Sequence, residues 1–296
     1  MNQIHIEGIL MISLKRKKTG ELVKATGITD SWRMYKPNQT KDFKISRSRF
    51  DDFMTCQRCF YLKVNRGFMS PSTPGWTLNT LTDTLLKKEF DECREKQIPH
   101  RIMTKYNLEY LVPYASEKIK DKNGNDKLLI DEWRDSLHYG IKHRFKGTNI
   151  ILQGGVDDVW FNTKSEELVI ADYKSQHKKE GVSQETYFED PYKEGYQRQL
   201  DYYAYILKGM GYEVSTDAYF YICNAKEVDE GFHGKMLFDE VLIHYKIKTD
   251  YLEDEIQKMI DVMNLTEIPN SHESCENCAY ARQRSVIDKL GGFDEK

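Results

Sequence analysis

The sequence predicts a mixed α/β (α+β) fold, a central sheet flanked by helices, and three observations carry that reading. Segments with helical spacing of apolar residues come first. Two strand-like runs then face each other across a polar turn. A helix, a second pair of strand-like runs and a last helix complete the order, so one sheet is expected between helical layers. The 296 residues are enough to bury a substantial core.

Composition supports a globular chain, with 39% hydrophobic residues, seven prolines and no low-complexity tract. The apolar patch at residues 9–14 is too short to span a bilayer, and the basic run Lys15-Arg16-Lys17-Lys18 follows it. A secretory signal needs the reverse order. A cytoplasmic protein without a membrane partner is therefore expected. The net charge is only −3, but residues 1–66 hold fourteen Lys/Arg against six Asp/Glu, a balance of +8. A basic N-terminal third suits phosphate groups.

Residues 1–43 show no clear period and several turn-prone pairs, and are expected to be an appended element with a short hairpin. Residues 44–296 form the main domain in this reading. Ser48 as N-cap, with Asp51 three residues on, marks a helix start. An apolar stripe of Phe50, Phe53, Met54, Phe60, Tyr61 and Val64 continues that helix. The run Pro71-Ser72-Thr73-Pro74 breaks the chain, and a second helix is expected over 78–97 from Leu78, Leu81, Leu85 and Phe90. A turn at 122–125 precedes a mixed, partly helical segment over 126–146. Strands are expected over 150–161 and 168–174, then a helix over 191–209. Strands near 215–223 and 235–248, a helix over 250–264 and a cysteine-bearing tail follow.

The chemistry concentrates at the first strand pair. Gly154-Gly155-Val156-Asp157 is followed fifteen residues later by Asp172-Tyr173-Lys174, at the end of an apolar run. Alternation along a strand points Asp172 and Lys174 to one face and Tyr173 to the other. Two carboxylates and a lysine at neighbouring strand ends suit metal-dependent phosphodiester hydrolysis: the acids hold a divalent cation and the lysine orients or polarises water. The next helix carries Gln199 and Tyr203, four residues apart and so on one face.

In this order, Gly-x-x-Asp, Asp-x-Lys and Gln-x-x-x-Tyr resemble the PD-(D/E)XK nucleases of the RecB-like branch. That branch includes the RecB and AddB nuclease domains and the CRISPR-associated RecB-like exonucleases. The string from Ser46 and Ser48 through Phe50, Phe53, Cys56-Gln57-Arg58-Cys59 and Phe60-Tyr61-Leu62 resembles their opening helix. The likeness spans roughly 44–284 and implies a restriction-endonuclease-like fold. It further implies Asp157 and Asp172 as Mg²⁺ or Mn²⁺ ligands, Lys174 as the catalytic lysine, and Gln199 and Tyr203 lining the DNA-facing site. A Gly-x-x-x-His helix in that branch supplies another metal ligand. Here Gly75-Trp76-Thr77-Leu78-Asn79 places asparagine there, so Asn79, or Asp83 one turn on, is the candidate third ligand.

The sequence carries six cysteines. Cys56 and Cys59, with Cys275 and Cys278, form two Cys-x-x-Cys pairs whose spacing lets four thiolates meet at one centre. Such a centre would staple the N- and C-terminal segments together. The spacing favours Zn²⁺. The family resemblance favours a 4Fe–4S cluster, although the last expected cysteine falls at Arg284, and the cluster is taken as the first expectation with Zn²⁺ as the alternative. Cys93 and Cys223 read as ordinary buried thiols.

These observations lead to a Mg²⁺- or Mn²⁺-dependent deoxyribonuclease. It is expected to act on ends or single strands, as an exonuclease, in DNA repair, recombination or phage- or CRISPR-type processing. A reading from another class is a nuclease-fold scaffold subunit that binds nucleic acid without cutting, motivated by Asn79 and the altered cysteine set. No phosphate-binding loop of the helicase type occurs, so any unwinding requires a helicase or other processing subunit as partner.

Overall fold

The computed structural model describes residues 14–73 and 75–290. The apolar patch at 9–14, apart from Leu14, and Pro74 of the expected chain break fall outside these residues. Two units are present. One comprises Met1–Gln39, Asp52–Trp76 and Lys258–Lys296, and the other Thr40–Asp51 and Thr77–Gln257.

The larger unit is built on strands. They are β1 (Phe43–Ser46), β2 (Leu111–Pro113), β3 (Lys118–Lys120), β4 (Asp126–Leu128) and β5 (Ile141–Arg144), then β6 (Ile150–Gly154), β7 (Asp158–Asn162), β8 (Glu167–Gln176), β9 (Asp217–Ala225) and β10 (Phe238–Lys246). The helices of the chain are α1 (Arg47–Thr55), α2 (Gln57–Asn65), α3 (Thr77–Lys96), α4 (Arg101–Lys105), α5 (Leu129–Arg134), α6 (Glu194–Gly209), α7 (Leu252–Met263) and α8 (Glu276–Leu290). The main sheet runs β10-β9-β8-β7-β2; β8 and β9 are parallel and the other pairs antiparallel. A second sheet runs β1-β6-β5, and β3 pairs with β4. The mixed sheet between helices is the architecture expected from the element order.

Burial explains the layering. Leu86 and Phe90 of α3, with Ile102 and Met103 of α4, cover Trp160, Val169, Ala171, Tyr173, Tyr219 and Tyr221 on one face of the main sheet. Phe90 stacks on His100 at 4.1 Å and on Trp160 at 5.6 Å. The other face meets α6, whose Tyr196 lies 6.3 Å from Phe220.

Four local expectations are corrected. The run at 150–161 is two strands in different sheets, because the chain bends at Gly155–Asp157. The Val156 amide donates to the Trp133 carbonyl there (3.2 Å), so the ladder cannot continue. The leucine stripe of α3 does not enter the core: Leu78, Leu81 and Leu85 are exposed, while Leu86, Phe90 and Arg94 form the buried face. Helical spacing alone does not say which side meets the sheet, and the bulk of Phe90 decides it.

The expected first helix is interrupted at Cys56, whose backbone is extended (φ −158°, ψ 107°), giving α1 and α2. Ser46, not Ser48, accepts the first-turn amide, from Arg49 at 3.4 Å. Within 126–146, only Leu129–Arg134 is helical, flanked by β4 and β5.

In the smaller unit, α2 is tied to the chain that follows α7. The Tyr61 hydroxyl donates to the Leu265 carbonyl (3.0 Å), Asn65 Nδ2 to that of Met263 (2.7 Å), and Arg58 to that of Pro269 (3.3 Å). The Tyr35 hydroxyl donates to Asn264 Oδ1 (3.0 Å). Residues 16–22 form a minimal antiparallel bridge. The cysteine-bearing tail continues as helix α8.

Candidate active site and thiolate centre

Asp157 lies in the bend between β6 and β7, and two neighbours fix that bend. Arg134 Nε donates to the Asp157 carbonyl (3.1 Å), and the Tyr173 backbone amide donates to Asp157 Oδ2 (2.9 Å). Its neighbour Asp158 is fully buried and points the other way. Asp158 accepts from Arg94 (2.6 Å), Arg134 (3.0 Å) and the Tyr173 hydroxyl (2.8 Å). Burial alone would raise its pKa, but the two guanidiniums outweigh that and hold it below the ordinary value. Asp158 is thereby committed to a structural ion-pair network, which leaves Asp157 as the carboxylate facing the site.

Asp172 sits on the central strand β8 with no exposure. Lys174 Nζ donates to its Oδ2, and Gln199 Nε2 donates to its Oδ1 (2.6 Å). Gln199 Nε2 also reaches the Tyr203 hydroxyl (3.2 Å). Burial raises the Asp172 pKa, and the nearby Asp157 charge adds to it against the pull of Lys174. For Lys174, burial pulls downward, but Asp172 and Asp157 prevail and raise it, so the side chain stays an ammonium.

The glycine of Gly-x-x-Asp has a steric reason. A Cβ on Gly154 would lie 2.5 Å from the Tyr203 ring, so only glycine lets that ring pack on β6.

Asp157, Asp172, Lys174, Gln199 and Tyr203 therefore come together from three elements. The candidate third ligands divide. Asn79 Nδ2 donates to the Ser175 carbonyl (3.0 Å). Asp83 shares Lys87 with Asp157: Lys87 Nζ lies 2.8 Å from Asp83 Oδ2 and 3.6 Å from Asp157 Oδ1. Among the described residues, Asp83 Oδ1 is buried with no hydrogen-bond partner. Burial raises the Asp83 pKa, and the Asp157 charge adds to that. Asp157 and Asp172 could share a divalent cation that would relieve their mutual repulsion, but among the described residues Asp83 does not complete a three-carboxylate set within 4.8 Å.

Lys87, the Arg94–Arg134–Asp158 network and Tyr196, whose ring lies 4.8 Å from Lys174 Nζ, escaped the sequence reading. Asp157 lies in the bend and Asp158 opens β7, so their opposite orientation is set by the fold and not by strand alternation.

The four thiols of the Cys-x-x-Cys pairs meet in the smaller unit. All four Sγ atoms lie within 4.8 Å of one another. Cys59 Sγ is 3.4 Å from Cys278 and 3.6 Å from Cys275, and Cys56 is 3.9 Å from Cys278. The break at Cys56 places that thiol at the start of α2. Burial there works against ionisation, but the backbone amides of Cys59 and His272 outweigh it and lower the Cys56 pKa to about 7. Cys223 is buried and Cys93 half-buried, both as free thiols.

The family model described as the PD-(D/E)XK nuclease superfamily matches residues 44–283. The chain belongs to the PD-(D/E)XK nuclease superfamily. It is thus a nuclease-family hydrolase, and this superfamily uses divalent metals. None of the curated proteins matches the sequence. Among solved structures, the chain is similar to a crystal structure from Eubacterium rectale of a protein named as a candidate exonuclease. That likeness has 15% identity and a TM-score of 0.39, covering 80% of this chain and 87% of the other. Among the described residues, no helix is long and apolar enough to cross a membrane.

Proposed function

We propose that this chain is a Mg²⁺- or Mn²⁺-dependent deoxyribonuclease that acts on ends or single strands in DNA processing such as repair or recombination. The observation that carries the reading is the convergence of Asp157, Asp172 and Lys174, with Asp83 linked to Asp157 through Lys87. Asp157 and Asp172 would hold the cation, Asp83 joining them only by moving closer, with Asn79 anchoring α3 to β8. A bound divalent cation supplies Lewis-acid polarisation of the phosphate and a more acidic water. Lys174 would donate to the attacking water or to a phosphate oxygen as negative charge grows. Gln199 holds Asp172 in its rotamer. Tyr203, held against β6 by Gly154, presents its hydroxyl to the same space.

The test is cleavage of labelled single- and double-stranded DNA with Mg²⁺ or Mn²⁺ by the wild type, Asp172→Ala and Lys174→Ala. Wild-type activity no greater than that of the variants would sink this reading. It would leave the non-cutting scaffold, which the complete Asp–Asp–Lys set argues against.

For the thiolates, the geometry supports one tetrahedral ion, Zn²⁺, over the cluster first expected. Zn–S bonds of about 2.3 Å in tetrahedral geometry place the sulfurs about 3.8 Å apart. Three of the six sulfur separations are 3.4, 3.6 and 3.9 Å, and all six lie within 4.8 Å. A cubane needs a wider cage, because each thiolate binds a different iron. Anaerobic purification should give one zinc per chain and no visible charge-transfer absorbance; four irons with such a band would restore the cluster.

A further inference from the structure

Immediately beyond Lys174 on β8, a recess of about 330 Å³ opens, lined by Gln176, Lys178, Ser183, Thr186, Tyr187 and Lys193 among others. The loop that forms it is anchored to β9. The Lys178 amide donates to Asn224 Oδ1 (2.8 Å), and Asn224 Nδ2 donates to the Lys178 carbonyl (3.1 Å). Hydroxyls line one side, with Ser183 Oγ and Thr186 Oγ1 3.2 Å apart.

Two ammonium groups lie near this recess, Lys193 in its lining and Lys174, paired with Asp172, beyond it. Lys193 Nζ lies 5.0 Å from the centre of the Tyr196 ring and 5.2 Å from that of Tyr187. Lys174 Nζ lies 4.8 Å from the same Tyr196 ring, so less than about 10 Å separates the two ammonium groups. Lys193 is held only loosely, with Gln176 Oε1 at 3.5 Å and Asp190 Oδ2 at 3.9 Å, at or beyond the limit of a hydrogen bond. It therefore keeps donors for a ligand oxygen. Asp190 is the one carboxylate among the lining residues, against Lys178 and Lys193.

The recess is at the small end of ligand cavities, which run from roughly 300 to 1,000 Å³. That is room for about one nucleotide. Its lysines lie within a nucleotide's reach of the lysine at the site of cutting.

The geometry points to a subsite for the terminal nucleotide of the cut strand, which Lys193 and Lys178 hold through its phosphomonoester. This subsite would make the enzyme end-directed, and it rests on the nuclease reading above. Charge-assisted hydrogen bonds to such a group should tighten binding about tenfold.

The experiment is fluorescence anisotropy of the full chain with short single-stranded oligonucleotides, 5′-phosphorylated, 3′-phosphorylated or hydroxyl at both ends, with inorganic phosphate as competitor. Preference for one phosphorylated end is expected. Lys193→Ala should erase that preference while leaving affinity for the hydroxyl-ended strand unchanged, which also shows that the variant is folded. Equal affinity for all three strands, or a preference that survives both Lys193→Ala and Lys178→Ala, overturns the subsite. Competition by millimolar phosphate restricted to the phosphorylated strand supports it, and competition equal on all three overturns it. Cleavage without end discrimination removes the subsite alone; discrimination without cleavage removes the nuclease reading alone.

Discussion

The carboxylates around Asp172 and the thiolates around Cys59 are each gathered from distant parts of the sequence, yet they are prepared for metal differently. The carboxylates sit in a strand bend and on a central strand, crowded by burial and already facing Lys174 and Lys87. Burial and the neighbouring Asp157 charge raise the pKa values of Asp172 and Asp83, which fits a cost of ionising these acids together. The thiols instead gather closely, all four sulfurs within 4.8 Å of one another. A centre that must exchange water and substrate benefits from loose, strained acids; a centre that only ties α2 to the tail benefits from a closed shell.

If that contrast is right, damage to each centre should have a different readout. The largest effect is expected for Asp172→Ala, with cleavage falling by at least about 10³-fold and zinc content unchanged. Concurrent loss of zinc would show that the two centres are not separate. Cys278→Ser should do the opposite. Thermal unfolding should show a loss of about 3 kcal/mol, a Tm roughly 6–12 °C lower for a chain of this size. An unchanged Tm would remove the structural role.

Gly154→Ala tests the packing that supports the carboxylates. Its Cβ would press on the Tyr203 ring at 2.5 Å, costing about 1–3 kcal/mol and lowering activity. A crystal structure of the variant with Tyr203 unmoved would refute this. Asp83→Asn should weaken Mn²⁺ binding about tenfold in calorimetry, with folding intact; unaltered affinity would return the third-ligand role to Asn79.

The smallest effect concerns pH. His100 is buried against Phe90, and burial lowers its pKa despite the Glu89 carboxylate beside it. The folded state therefore prefers neutral His100. Its contribution is fully present above the ordinary histidine value of about 6.5 and is lost as pH falls through the lower folded value. Urea unfolding of the wild type should weaken over that window, and His100→Gln should flatten the slope. Identical slopes would exclude His100 as the cause.

Much of this was legible in the chain itself. Asp-x-Lys on a strand places both groups on one face whatever surrounds them, because the side-chain period is two. Gln199 and Tyr203 share a helix face for the equivalent reason, and Cys-x-x-Cys is short enough to bring two sulfurs to one centre. The leucines of α3 were misleading, since periodicity reports a stripe and not its orientation.

Local periodicity and spacing thus determined the mixed α/β class, the ordered motifs and the pairing of residues within each element. The tertiary structure alone decided that Asp157 faces the site while Asp158 is consumed by Arg94 and Arg134. It also decided that Asp83 is left with an unpartnered oxygen among the described residues and that four cysteines from the two ends of the chain gather within 4.8 Å. Those outcomes depend on which surfaces are buried together, and desolvation and long-range contact are properties of the folded chain, not of any short segment.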